Sequence, residues 1–303
     1  MSPAKPSKKP AYKPPVLDGV GASSVVVDKL ADSVLDYVCA RFPNIAPEVW
    51  RERFAKQRVI DEQGRVLSAD AKLKIGEKLF YYRELPAEPV IPFEAEILFE
   101  DDDLLVVDKP HFLPVIPSGR FVKQSLLVRL KQQTGIEALV PLHRIDKDTA
   151  GLVLFSKNAE TRSMYQALFR TRAIEKTYVA IAPYRENMPS FYQSCIVDAA
   201  EFFKSEEVAG EHNSQVYIQC LVRKNTQALY QLKPVTGRKH QLRVQMAALN
   251  APLRNDALYP QVKEIQDDFT KPLGLLAYEL FFIDPVSGAR RLFRSRRTLA
   301  WLG

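Results

Sequence analysis

Cysteine is scarce in this sequence. Cys39, Cys195 and Cys220 are odd in number and far apart, so they make neither a disulfide framework nor a paired set of metal ligands. The four histidines stand at no ligand spacing to one another, which leaves a metal-dependent hydrolase built on His143 and Asp146 poorly supported. No run of about 18 apolar residues occurs, so no transmembrane helix is expected. The first lysines lead into no apolar stretch, so the start does not read as a signal peptide. These absences fit a reducing, cytoplasmic setting.

What is present begins with size. The 303 residues are 46% hydrophobic, enough for one large domain and a small one with a buried core. Lys plus Arg number 43 against 36 Asp plus Glu, a net charge of +7. That excess alone is as compatible with an ordinary basic protein as with a polyanion binder. Its distribution says more. Residues 1–15 hold Lys5, Lys8, Lys9 and Lys13 and no acid, and Arg290, Arg291, Arg294, Arg296 and Arg297 form a second acid-free run. Either run favours phosphate contact; equally, the first reads as a solubilising tail and the second as a solvated edge.

Residues 1–15, with five prolines, are expected to be disordered. From 16 to 85 a compact unit follows. Val34, Leu35, Val38 and Phe42 predict a helix over 31–42, and Pro47 opens a second, PEVWRERFAKQ. Short strands joined at Gly64 and Gly76 come next. Residues 86–91 lie in a proline-rich run that reads as a linker, with a second domain over 92–303. That domain alternates strand-like segments (ILFE, DLLVVDK, GLVLFSK, KTYVAIA, QVYIQCLV, ALYQLKPV, LAYELFFI) with helices near 125–134, 160–171 and 239–249. Strands and helices mix without strict alternation, which predicts an α+β fold with a largely antiparallel or mixed sheet.

Two stretches concentrate chemistry. LHRIDKDTAGLVLFSK at 142–157 places two carboxylates, a histidine and an arginine on a polar loop before a buried-looking strand. Read from the residues alone, Asp146 and Asp148 either react or cap turns, and His143 either acts or packs. TGRKHQLRVQMAAL at 236–249 alternates Gln241, Arg243 and Gln245 with Leu242, Val244 and Met246. A guanidinium facing a carboxylate favours its ionised form and orients it through paired hydrogen bonds.

HRIDKDTAGLVLFSKN resembles the signature of the RluA-type RNA pseudouridine synthases. DDLLVVDKPHFLPVIPSG, EKTYVAI, TGRKHQLRVQMAALNAPLRNDALYP and LLAYELFFIDP resemble further segments of that family, in order, over 92–303. The resemblance implies a pseudouridine synthase fold with a central, largely antiparallel mixed sheet and a cleft. It implies Asp146 as the catalytic nucleophile, with Tyr178 beneath the flipped base and Arg243 paired to the aspartate. Arg144 would fill the stack that the uridine vacates, and Leu242 would pack near the base. His143 reads as structural, because isomerising uridine needs no imidazole. The reaction implies no cofactor and no metal. Ala150 replaces a usual serine, and Asn250, Ala251 and Pro260 also depart from the pattern, which bears on the target more than on the chemistry.

Residues 47–83 resemble the small alpha-L RNA-binding domain, an α/β module in which Arg51, Arg53 and Lys56 would meet phosphates. The expected partner is structured RNA, ribosomal and large-subunit first and transfer RNA second, with no membrane partner and a monomeric chain. A non-catalytic RNA-binding or folding factor on the same scaffold is the alternative.

Overall fold

The structure, a computed structural model, describes residues 12–17, 20–83, 88–201, 203–263 and 268–300. Most of the tail expected to be disordered, and residues 84–87, which include the first two of the expected linker, lie outside the described residues. The chain divides into two compact units between Glu88 and Pro89.

The first unit contains β1 (Ser23–Val26), α1 (Val34–Arg41), α2 (Pro47–Ala55), β2 (Val59–Ile60) and β3 (Lys78–Tyr81). The strands form an antiparallel sheet in the order β1-β3-β2. Helix α1 starts three residues later than the apolar pattern suggests because Ser33 is extended and caps it: its Oγ accepts the Asp36 N–H at 3.1 Å and donates to the Asp36 carboxylate at 2.6 Å. Pro47 opens α2, where its missing N–H costs nothing. Both helices bury Val34, Tyr37, Val38, Trp50 and Phe54 against Leu79 and Tyr81. Order reaches back to residue 12, earlier than expected: the Tyr82 hydroxyl donates to the Pro15 carbonyl at 2.7 Å, and the Tyr12 ring meets Phe80 edge-on at 6.3 Å.

One expectation for this unit is corrected. Arg53, placed by the helical pattern among the cations that would meet phosphate, is 6% exposed. Its guanidinium lies 4.5 Å from the Trp50 ring centre and 5.9 Å from that of Tyr81. It stands one turn from Trp50 on the inward face, where a planar cation stacks on aromatic rings. Arg51 and Lys56 face solvent in exposed pairs with Glu48 (3.1 Å) and Glu52 (2.8 Å).

The second unit runs β4 (Glu96–Glu100), β5 (Leu104–Lys109), α3 (Leu126–Thr134), β6 (Val140–Pro141), β7 (Ala150–Ser156), α4 (Arg162–Arg170), β8 (Glu175–Pro183), β9 (Phe191–Asp198), β10 (Ser205–Val208), β11 (Ser214–Lys224), β12 (Gln227–Pro234), α5 (Gln241–Ala248), β13 (Leu275–Ile283) and β14 (Arg290–Arg294). Its sheet follows the order β10-β9-β11-β12-β8-β13-β7-β5-β4, with β6 beside β7 and β14 beside β13. Every pairing is antiparallel except β7 with β13, so the fold is the α+β class expected from the sequence.

Strands β5 and β7 are buried along their whole length because both faces are covered. Leu105, Val107, Val153 and Phe155 pack toward Leu126 and Leu130 of α3. Leu104, Val106, Leu152 and Leu154 pack on the other face with Tyr165 and Leu168 of α4. Helix α5 lays Leu242 and Met246 on Ala180, Tyr230 and Leu232 of the neighbouring strands.

The arginine run at 290–297, open between phosphate contact and a solvated edge, keeps Arg290, Arg294 and Arg296 exposed. It forms β14 and the turn after it, and its cations meet acids of the same unit. Arg291 bonds Asp284 and Asp101, each at 3.0 Å; Arg294 bonds Glu279 at 2.7 Å; Arg296 pairs with Glu96; and Arg297 reaches Asp108 at 3.4 Å. Those acids lie mostly far off in sequence, so a local reading leaves the run uncompensated.

Candidate active site

Asp146 sits on the loop between β6 and β7, whose backbone is fastened from three sides. The Leu142 N–H donates to the Leu154 carbonyl at 2.8 Å, and the Leu154 N–H donates to His143 Nε2 at 3.1 Å. The His143 ring stacks on Phe169 at 4.7 Å and 22°. Burial, and secondarily Lys176, pushes the His143 pKa down to about 3, so the ring is neutral and holds the loop. His111 Nδ1 stands 2.6 Å from the Asp148 carbonyl; since a carbonyl only accepts, Nδ1 bears the proton. Beneath the loop, Lys109 at the end of β5 donates to the carbonyls of Pro110 (2.9 Å) and Lys147 (3.0 Å) while fully buried. Desolvation lowers its pKa to about 7 despite the opposing charges of Asp148 and Asp146.

Where the loop enters β7, Gly151 adopts φ +112° against β13. A side chain there would come within 2.7 Å of the Ala277 backbone nitrogen and carbonyl carbon, and closer still to the oxygen. Only glycine permits this approach.

Helix α5 supplies the other half. Arg243 is 2% exposed. Its Nη1 donates to Asp146 Oδ2 at 3.3 Å, while Nε and Nη2 donate to the two oxygens of Asp256 at 2.9 and 2.7 Å. Burial opposes the charge, but the Asp256 hydrogen bonds and the charges of Asp146 and Asp256 outweigh it, so its pKa lies above that of an ordinary arginine. His240, in a left-handed conformation before α5, brings Nε2 to 3.8 Å from Asp146 Oδ1.

Asp146, His143, His240 and Arg243 line a cleft of about 880 Å³ together with Tyr178, Leu242 and Arg144. Tyr178, on β8, is half-buried and packs beside the core that Leu242 joins. Burial, then the Asp146 charge, raises its phenol pKa, so the ring presents a neutral hydroxyl. Arg144 is exposed and makes no hydrogen bond or ion pair among the described residues. The structure thus gathers Asp146, Arg144, Tyr178, Leu242 and Arg243 around one cavity. Arg51 and Lys56 belong to the other unit. The sequence reading assigned no role to Lys109, His240 or Asp256; each fell within a segment quoted for the family, and only their spatial partners mark them out. Among the described residues, no group of three or more His, Cys, Asp or Glu is placed to hold a metal ion.

Comparison with known proteins gives the family. The family described as RNA pseudouridylate synthase matches residues 103–248. An uncharacterized RNA pseudouridine synthase of Synechocystis is 30% identical over 75% of this chain and 79% of its own. The dual-specificity RNA pseudouridine synthase RluA of Vibrio vulnificus is 33% identical over 64% of this chain and 79% of its own. The tRNA pseudouridine(31) synthase of Saccharomyces cerevisiae is 29% identical over 54% of this chain, which spans 46% of that protein. The solved structure of human RNA pseudouridylate synthase domain containing 4 is similar with a TM-score of 0.51 and 27% identity, covering 65% of this chain and 87% of that one. The chain belongs to the RluA-type RNA pseudouridine synthases. It is an isomerase that acts on RNA.

Proposed function

We propose that Asp146 is the nucleophile with which this enzyme isomerises uridine in structured RNA, and that the substrate is large-subunit ribosomal RNA. The observation that supports the catalytic assignment is the Arg243 guanidinium 3.3 Å from Asp146, at a cleft wide enough for a nucleoside. A uridine within folded RNA hides its ring and glycosidic bond, so the nucleotide is extruded at a cost of a few kcal/mol. Arg144, exposed in the lining of the cleft, stacks its planar guanidinium in the gap. Tyr178 and Leu242 support the extruded ring.

Asp146 then forms a covalent bond, either to C6 of the base or to C1′ as uracil departs. The N1–C1′ bond breaks, the base turns and C5 bonds to C1′; the bond to Asp146 breaks, C5 gives up its proton and N1 takes one up, so the product is an isomer. While Asp146 is ionised its charge disfavours a Tyr178 phenolate. Burial, the larger cause, keeps the phenol neutral throughout, so Tyr178 takes the C5 proton only as its own hydroxyl proton passes on to the Asp146 carboxylate being released.

The ribosomal assignment rests on the separate first unit with its exposed Arg51 and Lys56, suited to phosphates on an extended RNA surface. Pseudouridine mapping of total RNA, with and without the gene, tests it. A lost site in large-subunit RNA is expected, and a lost site only in transfer RNA overturns it. Asp146→Asn is expected to abolish product while leaving RNA affinity within about two-fold, since the anion makes no phosphate contact. Normal turnover by that variant overturns the nucleophile assignment.

A further inference from the structure

Among the described residues, the segment after α5 makes no hydrogen bond or ion pair to Asp146, yet it meets both groups that flank it. Asp256 is 1% exposed and takes two edges of the Arg243 guanidinium. Its Oδ1 also accepts the N–H groups of Leu258 (2.9 Å) and Tyr259 (3.2 Å), so the carboxylate cannot swing. A guanidinium is rigid and planar, so fixing Nε and Nη2 fixes where Nη1 points. Nη1 points at Asp146 Oδ2.

Three residues on, the Tyr259 hydroxyl accepts the Ser205 N–H at 2.9 Å and stands 2.9 Å from His240 Nδ1. The arrangement that satisfies every group has the hydroxyl donating its proton to Nδ1. The ring proton of His240 is then on Nε2, the atom facing Asp146 Oδ1 at 3.8 Å.

We propose that Asp256 and Tyr259 are paired positioning residues for the isomerisation: Asp256 aims Arg243 at one oxygen of Asp146, and Tyr259 aims the His240 N–H at the other. The inference rests on Asp146 being the reacting group. Its chemical content is that the carboxylate is presented in one rotamer, with Arg243 bonded to one oxygen and the His240 N–H facing the other from 3.8 Å before RNA arrives. A carboxylate held by Arg243 alone would be free to turn, and loss of alignment of about 1 Å costs on the order of 10²-fold in rate.

The test is a pair of double-variant cycles on the full-length enzyme, reading kcat and RNA affinity separately on a transcript that the wild type modifies. Asp256→Asn keeps Oδ1 for the two backbone amides and loses the acceptor for Nε. It is expected to lower kcat on the order of 10²-fold with RNA affinity within about two-fold. In an Arg243→Lys background, where a single ammonium cannot span both carboxylates, the same change is expected to cost no more than about three-fold. Tyr259→Phe removes only the hydroxyl and is expected to lower kcat about ten-fold, and to cost nothing further in a His240→Asn background.

A merely structural role would cost the same factor in both backgrounds, and equal factors in either cycle overturn the proposal. If thermal melting shows that Asp256→Asn is not tolerated, Asp256→Ser takes its place in the same cycle. Asp146→Asn runs alongside. Turnover by that variant would refute the nucleophile assignment, whereas an inactive Asp146→Asn with additive cycles would refute only the positioning roles.

Discussion

Gly151 and Ala277 bring two strand backbones together where the catalytic loop enters the sheet, at the parallel junction of β7 and β13. A methyl group on Gly151 meets backbone, which cannot yield as a side-chain tip could, and the φ of +112° is itself unfavourable for any other residue. Gly151→Ala is therefore expected to lose at least about 3 kcal/mol of stability, read by urea unfolding, or to fail to accumulate as soluble protein. A variant as stable as wild type would contradict the close approach.

Neighbouring arginines of α2 are expected to fail in different assays. Arg53→Ala removes a buried cation from Trp50 and Tyr81 and is expected to cost about 2 kcal/mol of stability in the first unit, with the salt dependence of RNA binding unchanged. Arg51→Ala with Lys56→Ala is expected to leave stability within about 0.5 kcal/mol, because exposed pairs contribute little. The double variant should lower the slope of log affinity against log salt by about 1.5. Filter binding over a salt series separates the two.

Three buried bases make stability rise with pH. His143 and His111 have folded pKa values of about 3 and about 4, below the 6.5 of a free histidine, through burial first. The unfolded chain binds more protons than the folded one in that window. The stability is complete above pH 6.5 and is lost as the pH falls toward 4 and 3. Lys109, at about 7 against 10.5, acts the same way in the next window, so stability climbs again between pH 7 and 10.5. Urea midpoints at acid, neutral and mildly alkaline pH are expected to increase in that order, by a few kcal/mol across the first window. His143→Gln should flatten that first rise.

The hydroxyl of Tyr178 is separable from its ring. Tyr178→Phe keeps the aromatic face and is expected to reduce kcat on the order of 10²-fold while leaving RNA affinity unchanged. Unaltered kcat would remove the hydroxyl from the chemistry and leave only stacking.

The second unit was readable in sequence wherever apolar runs were long. DLLVVDK, GLVLFSK and LAYELFFI read as strands because β5, β7 and β13 lie deep in the sheet. FYQSCIVD and SEEV, the outlying β9 and β10, are half-exposed and carry too weak an apolar signal to stand out. The loop bearing Asp146 and the motif bearing Arg243 were legible as polar stretches, but their meeting spans 97 positions and is a property of the sheet order. Arg53 was misjudged because a helical pattern shows which residues share a face, not that a cation on it can stack on tryptophan. Asp256 shows the converse: with Tyr259 it resembles a family pattern in the sequence, but its grip on Arg243 is visible only in the fold.

Asp108 is fully buried at the end of β5, and its oxygens are met by the Ser295 hydroxyl at 2.8 Å and the Arg296 N–H at 2.7 Å, 187 and 188 positions later. Next to it in the chain is Lys109, whose amine lies under the loop bearing Asp146. The floor of the site is thus tied to a turn far along the chain: until Ser295 and Arg296 reach β5 the oxygens of Asp108 lack these donors, so the turn after β14 acts as a latch that lets β5 settle.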